Sequence, residues 1–162
     1  MAKIKHLCVL PLLIVLAGCM HSNSNPSTWK PGQVLDQRSE SLGHGYRRVS
    51  RSVVNGPGHW EGIGHFSYVY FRRDQLCRCS PSEVAIESGG RYAVYVDSDT
   101  KALMLFNSSA RERIMLSEEY LGLPTSGTWD LDSGTVLLTL RRWVDSGKHV
   151  DEQRSFSLPN RP

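Results

Sequence analysis

The chain has 162 residues, of which 40% are hydrophobic, 22% charged and 9% aromatic, with 19 basic and 16 acidic side chains. This composition excludes a collagen-like chain, a wholly disordered chain and an acidic tail, and the length predicts one folded domain. The basic residues are spread along the chain, so we expect no nucleic-acid binding.

The first 18 residues have the organisation of a secretory signal peptide. Lys3 and Lys5 precede an apolar run from Leu7 to Leu16, and small residues follow it. The run is too short for a mature membrane helix, which needs about 20 apolar residues, and no later segment approaches that length. We therefore predict export of the chain and removal of residues 1–18.

The segment Leu16-Ala17-Gly18-Cys19 resembles the lipobox of bacterial lipoprotein precursors. In that family the cysteine is acylated and becomes the first mature residue, so the resemblance implies a lipid anchor on Cys19. Residue 20 is Met rather than the Asp that retains such proteins at the inner membrane, which implies an outer-membrane protein with its domain in the periplasm. The alternative is an ordinary signal peptide that happens to end in cysteine.

Residues 19–33 are polar and contain proline, which is typical of a flexible tether. Residues 34–162 are predicted to form a single β-rich domain, beginning with an irregular stretch. Short strand-like runs separated by turn residues recur at about 8–12-residue spacing, which favours an antiparallel sandwich or a lipocalin-like barrel with at most one short helix. The strands are predicted near Tyr46–Val54, Phe66–Phe71, Glu83–Glu87, Arg91–Val96, Ala102–Phe106, Thr128–Leu131, Thr135–Trp143 and Gln153–Leu158.

The segment Ser108–Leu121 is ambiguous. It starts with serine, is rich in helix-forming residues and is followed by Gly122, which favours a short helix. A strand over Arg111–Leu116 is the alternative.

Cys77 and Cys79 are separated by one residue. In an oxidising compartment they are expected to form a local disulfide at the end of a strand. Cα atoms two positions apart in a straight strand lie about 6.5 Å apart, so pairing requires a bend in the chain. A labile redox pair and a soft-metal site for Cu(I) or zinc are the alternatives.

The remaining polar residues show no catalytic or metal-binding signature. His44, His59 and His65, with Glu61 nearby, lie in a glycine-rich stretch without the spacing of metal ligands. Neither a Gly-x-Ser-x-Gly elbow nor a phosphate-binding loop is found. We therefore expect no enzymatic activity, no metal and no cofactor.

The segment Ser88-Gly89-Gly90-Arg91-Tyr92 resembles the Ser-Gly-x-x-Tyr loop of bacterial periplasmic and membrane-bound lysozyme inhibitors. In that family the loop enters the active-site cleft of lysozyme. Carried over, Ser88 and Tyr92 would hydrogen-bond the catalytic carboxylates, and Gly89 would permit the close approach. The alternative is an ordinary Ser-Gly-Gly turn of a hairpin.

A second resemblance is to copper-homeostasis and stress-sensing lipoproteins with a lipocalin-like barrel. Cys77 and Cys79 before a strand, and Gly127-Thr128-Trp129 later, are similar to features of that family, although its cysteines are separated by two residues.

Together these patterns predict an outer-membrane lipoprotein that acts as a non-catalytic binding protein, with inhibition of a lysozyme-like or effector hydrolase as the most specific version. Candidate contact residues are Tyr68, Tyr70, Trp60 and Tyr92. The alternatives are a metal- or redox-handling protein that uses Cys77 and Cys79, and a structural component of the envelope.

Overall fold

The computed structural model describes residues 30–56, 62–145 and 147–159. The predicted signal peptide, the predicted anchor Cys19 and most of the predicted tether lie outside the described residues, as does the segment 59–61 with its histidine, tryptophan and glutamate. In the described ranges, no helix has the length and apolar character needed to cross a membrane.

The described chain forms eleven strands in three antiparallel sheets, each made from consecutive strands. The first sheet contains β1 (Val34–Gly43), β2 (Tyr46–Val54), β3 (Ile63–Phe71) and β4 (Asp74–Cys77). The middle sheet contains β5 (Val84–Ile86), β6 (Tyr92–Val96), β7 (Leu103–Asn107) and β8 (Glu112–Ser117). The third sheet contains β9 (Leu123–Asp130), β10 (Thr135–Asp145) and β11 (Lys148–Ser157), with β10 in its centre.

The middle sheet is covered on both faces. Side chains of the first and middle sheets share one apolar core, made of Tyr46, Val69, Phe71, Leu76, Cys77, Val84, Ala93, Tyr95 and Phe106. Side chains of the middle and third sheets share the other, made of Ala85, Tyr92, Val94, Val96, Leu103, Leu105, Val136, Leu138, Leu140 and Leu158. Every residue of β6 is buried, and alternate residues belong to alternate cores, which explains its uninterrupted apolar sequence.

The prediction of a mainly β, antiparallel fold is confirmed, and a sandwich fits the arrangement. The sheets of the described chain do not close into a barrel. Its helical content is one turn of 3-10 helix, Pro81–Glu83. The expected irregular stretch at the start of the domain is instead the ten-residue strand β1.

The helix favoured for Ser108–Leu121 is wrong, because this segment contains β8. The Asn107 side-chain carbonyl accepts hydrogen bonds from the backbone N–H groups of Ser109 and Ala110, as at the start of a helix. The turn ends at Arg111, whose left-handed φ of +54° prevents a helix from continuing. Ile114 and Leu116, two positions apart, both pack against the core beneath the third sheet. Burial with a period of two therefore overrides the helical preference of the individual residues.

The hairpin of β10 and β11 extends past the rest of its sheet. Strand β9 pairs with β10 only as far as Arg141, whereas β11 pairs with β10 along its whole length. The apolar side chains of the extended part are exposed: Trp143 by 57%, Val144 by 52% and Val150 by 48%. Among the residues that the structure describes, the third sheet therefore ends in a two-stranded projection, with β11 as an open edge.

Candidate functional site

The Ser88–Tyr92 segment is the connection between β5 and β6, and it is organised around a carboxylate. Glu87 is 7% exposed. Its Oε1 accepts hydrogen bonds from the Gly89 N–H at 2.7 Å and from the Ser88 hydroxyl at 3.2 Å, and its Oε2 accepts one from the Arg91 N–H at 3.0 Å. The polar groups at the tip of the loop are therefore engaged within the loop itself.

These hydrogen bonds also set the charge state of Glu87. Burial is the largest single influence and raises the pKa of the Glu87 carboxyl, but the donors on Gly89, Arg91 and Ser88, together with nearby His44, outweigh it. The net result is a pKa below the usual value for glutamate. Glu87 is thus a buried, charged acceptor that stabilises the turn.

The loop does not present Tyr92 to a partner. The Tyr92 side chain is 3% exposed and lies in the core between the middle and third sheets. Its ring stacks on Trp129 of β9, with the ring centroids 6.0 Å apart and the planes within 10° of parallel. Ser88 and Gly89 are exposed, so the structure separates two of the three residues of the proposed inhibitory loop from the third.

We expect Glu87→Gln to lower the free energy of unfolding at pH 7 by about 1–3 kcal/mol, because charged hydrogen bonds to a buried acceptor are weakened. The folded pKa of Glu87 lies below its unfolded value, so this stabilisation is complete above about pH 5 and is lost as the pH falls through the folded pKa. Urea denaturation at pH 7 and pH 3 measures the effect. The difference between wild type and Glu87→Gln should shrink at pH 3, and a constant difference would contradict the role of the charge; Glu118→Gln, on an exposed residue, is the control.

Cys77 and Cys79 form a disulfide with Cα atoms 5.4 Å apart, which is closer than in a straight strand. Cys77 ends β4 and is 2% exposed, whereas Cys79 is half-buried and lines a cleft of about 620 Å³ together with Arg78 and Lys101. Among the residues that the structure describes, no group of three or more His, Cys, Asp or Glu side chains is placed to hold a metal ion.

The outer face of the first sheet carries a different constellation. Tyr46, Val69 and Phe71 point into the core, so the neighbouring positions along β2 and β3 point outward. Pairing between the two strands places these outward residues directly opposite one another in three rows. We call this set the arginine–tyrosine face: Arg47 and Tyr70, Val49 and Tyr68, and Arg51 and Phe66. Val49 is 2% exposed, and the other five side chains are half-buried.

Guanidinium groups lie over aromatic rings along this face. The Cζ atom of Arg47 is 4.9 Å from the centroid of the Tyr70 ring, and that of Arg51 is 5.3 Å from the centroid of the Tyr68 ring. Arg78, which follows β4, lies over Phe66 at 3.9 Å. These distances are within the range of cation–π attraction, which favours this placement of the guanidinium groups over the rings.

The cations of the arginine–tyrosine face are held by neutral groups. The Arg51 Nε donates to the Gln37 side-chain carbonyl at 2.8 Å, and the Arg47 Nε donates to the Arg72 backbone carbonyl at 3.2 Å. Within the described part of the chain, the salt bridges are formed by other arginines: Arg38, Arg48, Arg111, Arg141 and Arg154. The face therefore carries positive charge that no carboxylate in these ranges neutralises.

Sequence reasoning selected Tyr68 and Tyr70 but missed Arg47 and Arg51. The available signal was the spacing of the two arginines, which are four positions apart and so lie on the same face of a strand. Only the register of β2 against β3 shows that they lie beside the tyrosines.

No protein-family model, curated protein or solved structure matches this chain.

Proposed function

We propose that this protein is an outer-membrane lipoprotein, anchored through Cys19, whose periplasmic domain binds a protein partner without catalysing a reaction. The observation that supports this proposal is the arginine–tyrosine face, where arginines that have no carboxylate partner among the described residues lie over aromatic rings. Arginine and tyrosine are enriched among the residues that dominate binding energy at protein interfaces.

The charge of the face favours a partner with an acidic contact surface. Guanidinium groups bind carboxylates in a planar, bidentate geometry, and pre-stacking on a ring reduces the entropy lost when they bind. Inhibition of a lysozyme-like or effector hydrolase is the specific version of this proposal. Because the arginine–tyrosine face is positive, this inhibition requires a target whose contact surface is acidic. Because Tyr92 is buried, the inhibition does not involve the Tyr92 ring.

We expect the double variant Arg47→Ala/Arg51→Ala to weaken partner binding by about tenfold or more, because alanine substitution of such anchors costs about 1–2 kcal/mol each. The measurement uses a panel of muramidases with acidic and basic surfaces, with affinity and inhibition determined at low and high salt. Binding by wild type should weaken with salt. The control is Arg38→Ala, which removes an exposed, ion-paired arginine from the same sheet.

A double variant that binds and inhibits like wild type, with an unchanged thermal transition, would contradict the assignment of the site. Binding lost equally in the double variant and in Arg38→Ala would indicate general charge attraction and would also contradict it. If the wild-type chain binds no member of the panel, the result is the one expected of a structural envelope component. In that case neither variant changes binding.

The redox alternative is favoured by one observation, the position of Cys79 on the wall of the cleft beside Arg78 and Lys101. An incoming protein thiolate would attack Sγ of Cys79, forming a mixed disulfide and releasing Cys77 as a thiolate. A second thiolate on the reductant would then release Cys79, leaving both cysteines reduced and the reductant oxidised. A reductant whose second cysteine is replaced should stay linked to Cys79 as a mixed disulfide if this exchange operates, and Cys77→Ser, which has no disulfide to attack, is the control. A Cys77–Cys79 bond that stays intact under titration with a dithiol protein would exclude the exchange.

A further inference from the structure

The open edge of the third sheet is a long, accessible strand. Apart from Phe156, all residues of β11 are exposed, and the strand contains neither proline nor a bulge of its own. The backbone of the middle sheet lies closest to β9, at the opposite edge of the third sheet, and of the β11 residues only Phe156 packs against the core between these two sheets. A further strand can therefore approach β11 without meeting the middle sheet, and the unpaired backbone groups of an edge strand favour such pairing.

The sequence of β11 selects a partner strand and a register. In a symmetric antiparallel pair, a two-fold axis perpendicular to the sheet places one residue opposite its own copy. Axes through Asp151, Glu152 or Arg154 place like charges opposite each other, which is destabilising. An axis through Gln153 places two neutral amides together and joins residues 149–157 of both copies.

In the register centred on Gln153, the charged and apolar side chains of one face are complementary. Glu152 lies opposite Arg154 of the second copy, and the same pair forms again across the axis. Within each chain the Arg154 Nε is already 2.9 Å from the Glu152 carboxylate, so the four groups alternate in sign. Val150, which is 48% exposed, lies opposite Phe156 of the second copy.

Charged side chains on the inward face of an edge strand normally prevent pairing with other strands. Glu152 and Arg154 prevent it for most strands, but they have opposite signs and are two positions apart. A second copy of β11 is therefore complementary to them. We propose that this protein forms a symmetric dimer in which β11 pairs with β11 of a second copy about Gln153, producing one continuous six-stranded sheet.

A register centred on Val150 also places opposite charges together. It joins only residues 148–152 and leaves Arg154 and Phe156 without cross-strand partners. The longer register forms more main-chain hydrogen bonds and covers more apolar surface, which makes it the more stable of the two.

A single cysteine tests the dimer and its register in the full-length chain, expressed so that it is exported. Gln153→Cys places two thiols directly opposite, with Cβ atoms about 5 Å apart, and should give a disulfide-linked dimer on a non-reducing gel. Ser155→Cys is the matched control, because its two copies would lie about 13 Å apart. The wild-type chain is the blank, because it shows how much cross-linking the natural cysteines give by themselves.

Charge exchange supplies the second measurement, made in the Gln153→Cys chain. Glu152→Arg should reduce the rate of cross-linking about tenfold, because arginines then face each other across both pairs. An added arginine lowers the pKa of a neighbouring thiol and would otherwise accelerate cross-linking, so a decrease reports the pairing. The exchange Glu152→Arg/Arg154→Glu should restore the rate to within about threefold, since each pair is again of opposite charge.

Equal cross-linking of Gln153→Cys and Ser155→Cys would show random collision and overturn the proposal. Cross-linking of Val150→Cys without Gln153→Cys would overturn the register in favour of the shorter one. Absence of any cross-link above the wild-type blank, in chains that retain the wild-type thermal transition, would overturn the dimer.

Discussion

Leu138→Ala is expected to lower the free energy of unfolding by about 2–5 kcal/mol, whereas Leu137→Ala should lower it by less than about 1 kcal/mol. The two leucines are neighbours on β10, but Leu138 is completely buried between the middle and third sheets and Leu137 is 40% exposed. Truncating Leu138 leaves a cavity in a core that the rigid sheets on either side cannot close.

Urea denaturation of both variants at pH 7 provides the measurement. Comparing Leu137→Ala with Leu138→Ala tests the register of β10, because a shift of this strand by one residue exchanges its buried and exposed faces. Equal losses in the two variants, or a larger loss in Leu137→Ala, would therefore contradict the packing of the third sheet on the middle sheet.

Gly90→Ala is expected to cost about 3–4 kcal/mol of unfolding free energy, from two causes at one position. Gly90 has φ of +73°, which is unfavourable for alanine, and a Cβ atom there would collide with the Cβ of His44. Because His44 is in the β1–β2 turn, this close approach joins the loop of the middle sheet to the first sheet. Thermal and urea denaturation report the loss.

Gly134→Ala separates the two causes. Gly134 has a similar φ of +69° but has no atom within 4 Å of an added Cβ, so its substitution should cost only about 1 kcal/mol. His44→Gly in the Gly90→Ala chain should recover part of the loss, since it removes the colliding atom and suits the φ of +50° at that position. Equal losses at Gly90 and Gly134, or no recovery, would show that the contact with His44 is not important.

Local sequence was sufficient to predict the mainly β character of the fold, but not strands β1, β4 and β8 or the stacking of the sheets. The turn residues and the β-branched and aromatic runs around β3, β6 and β7 identify these strands directly. That β6 is covered on both faces follows only from the packing of three sheets, which short-range patterns do not encode. The helix prediction for Ser108–Leu121 is wrong for the same reason, because helix-forming residues in the local sequence do not reveal the core that holds Ile114 and Leu116 in a strand.

For the candidate sites as well, the sequence predicts local motifs but not the contacts that the fold creates. Residue identity alone indicates a loop motif at Ser88–Tyr92, but it does not show that the adjacent Glu87 organises the loop. A tyrosine two residues after a Gly-Gly turn can point to either face of a sheet, and the turn alone does not determine which. Likewise, Arg51 can be identified as a candidate binding residue only once the structure places it beside Tyr68 on the next strand.

The three sheets come from separate stretches of chain, 34–77, 84–117 and 123–157, and this has a consequence for folding. Each sheet forms from neighbouring hairpins, so its loop-closure entropy is small and its strands can pair early. The middle sheet then has two apolar faces, and the first sheet can cover only one of them. The side carrying Val94 and Leu105 stays exposed until the last stretch docks. A partly folded chain without its third sheet is therefore the species most prone to self-association, and the docking of β9 and β10 ends that period.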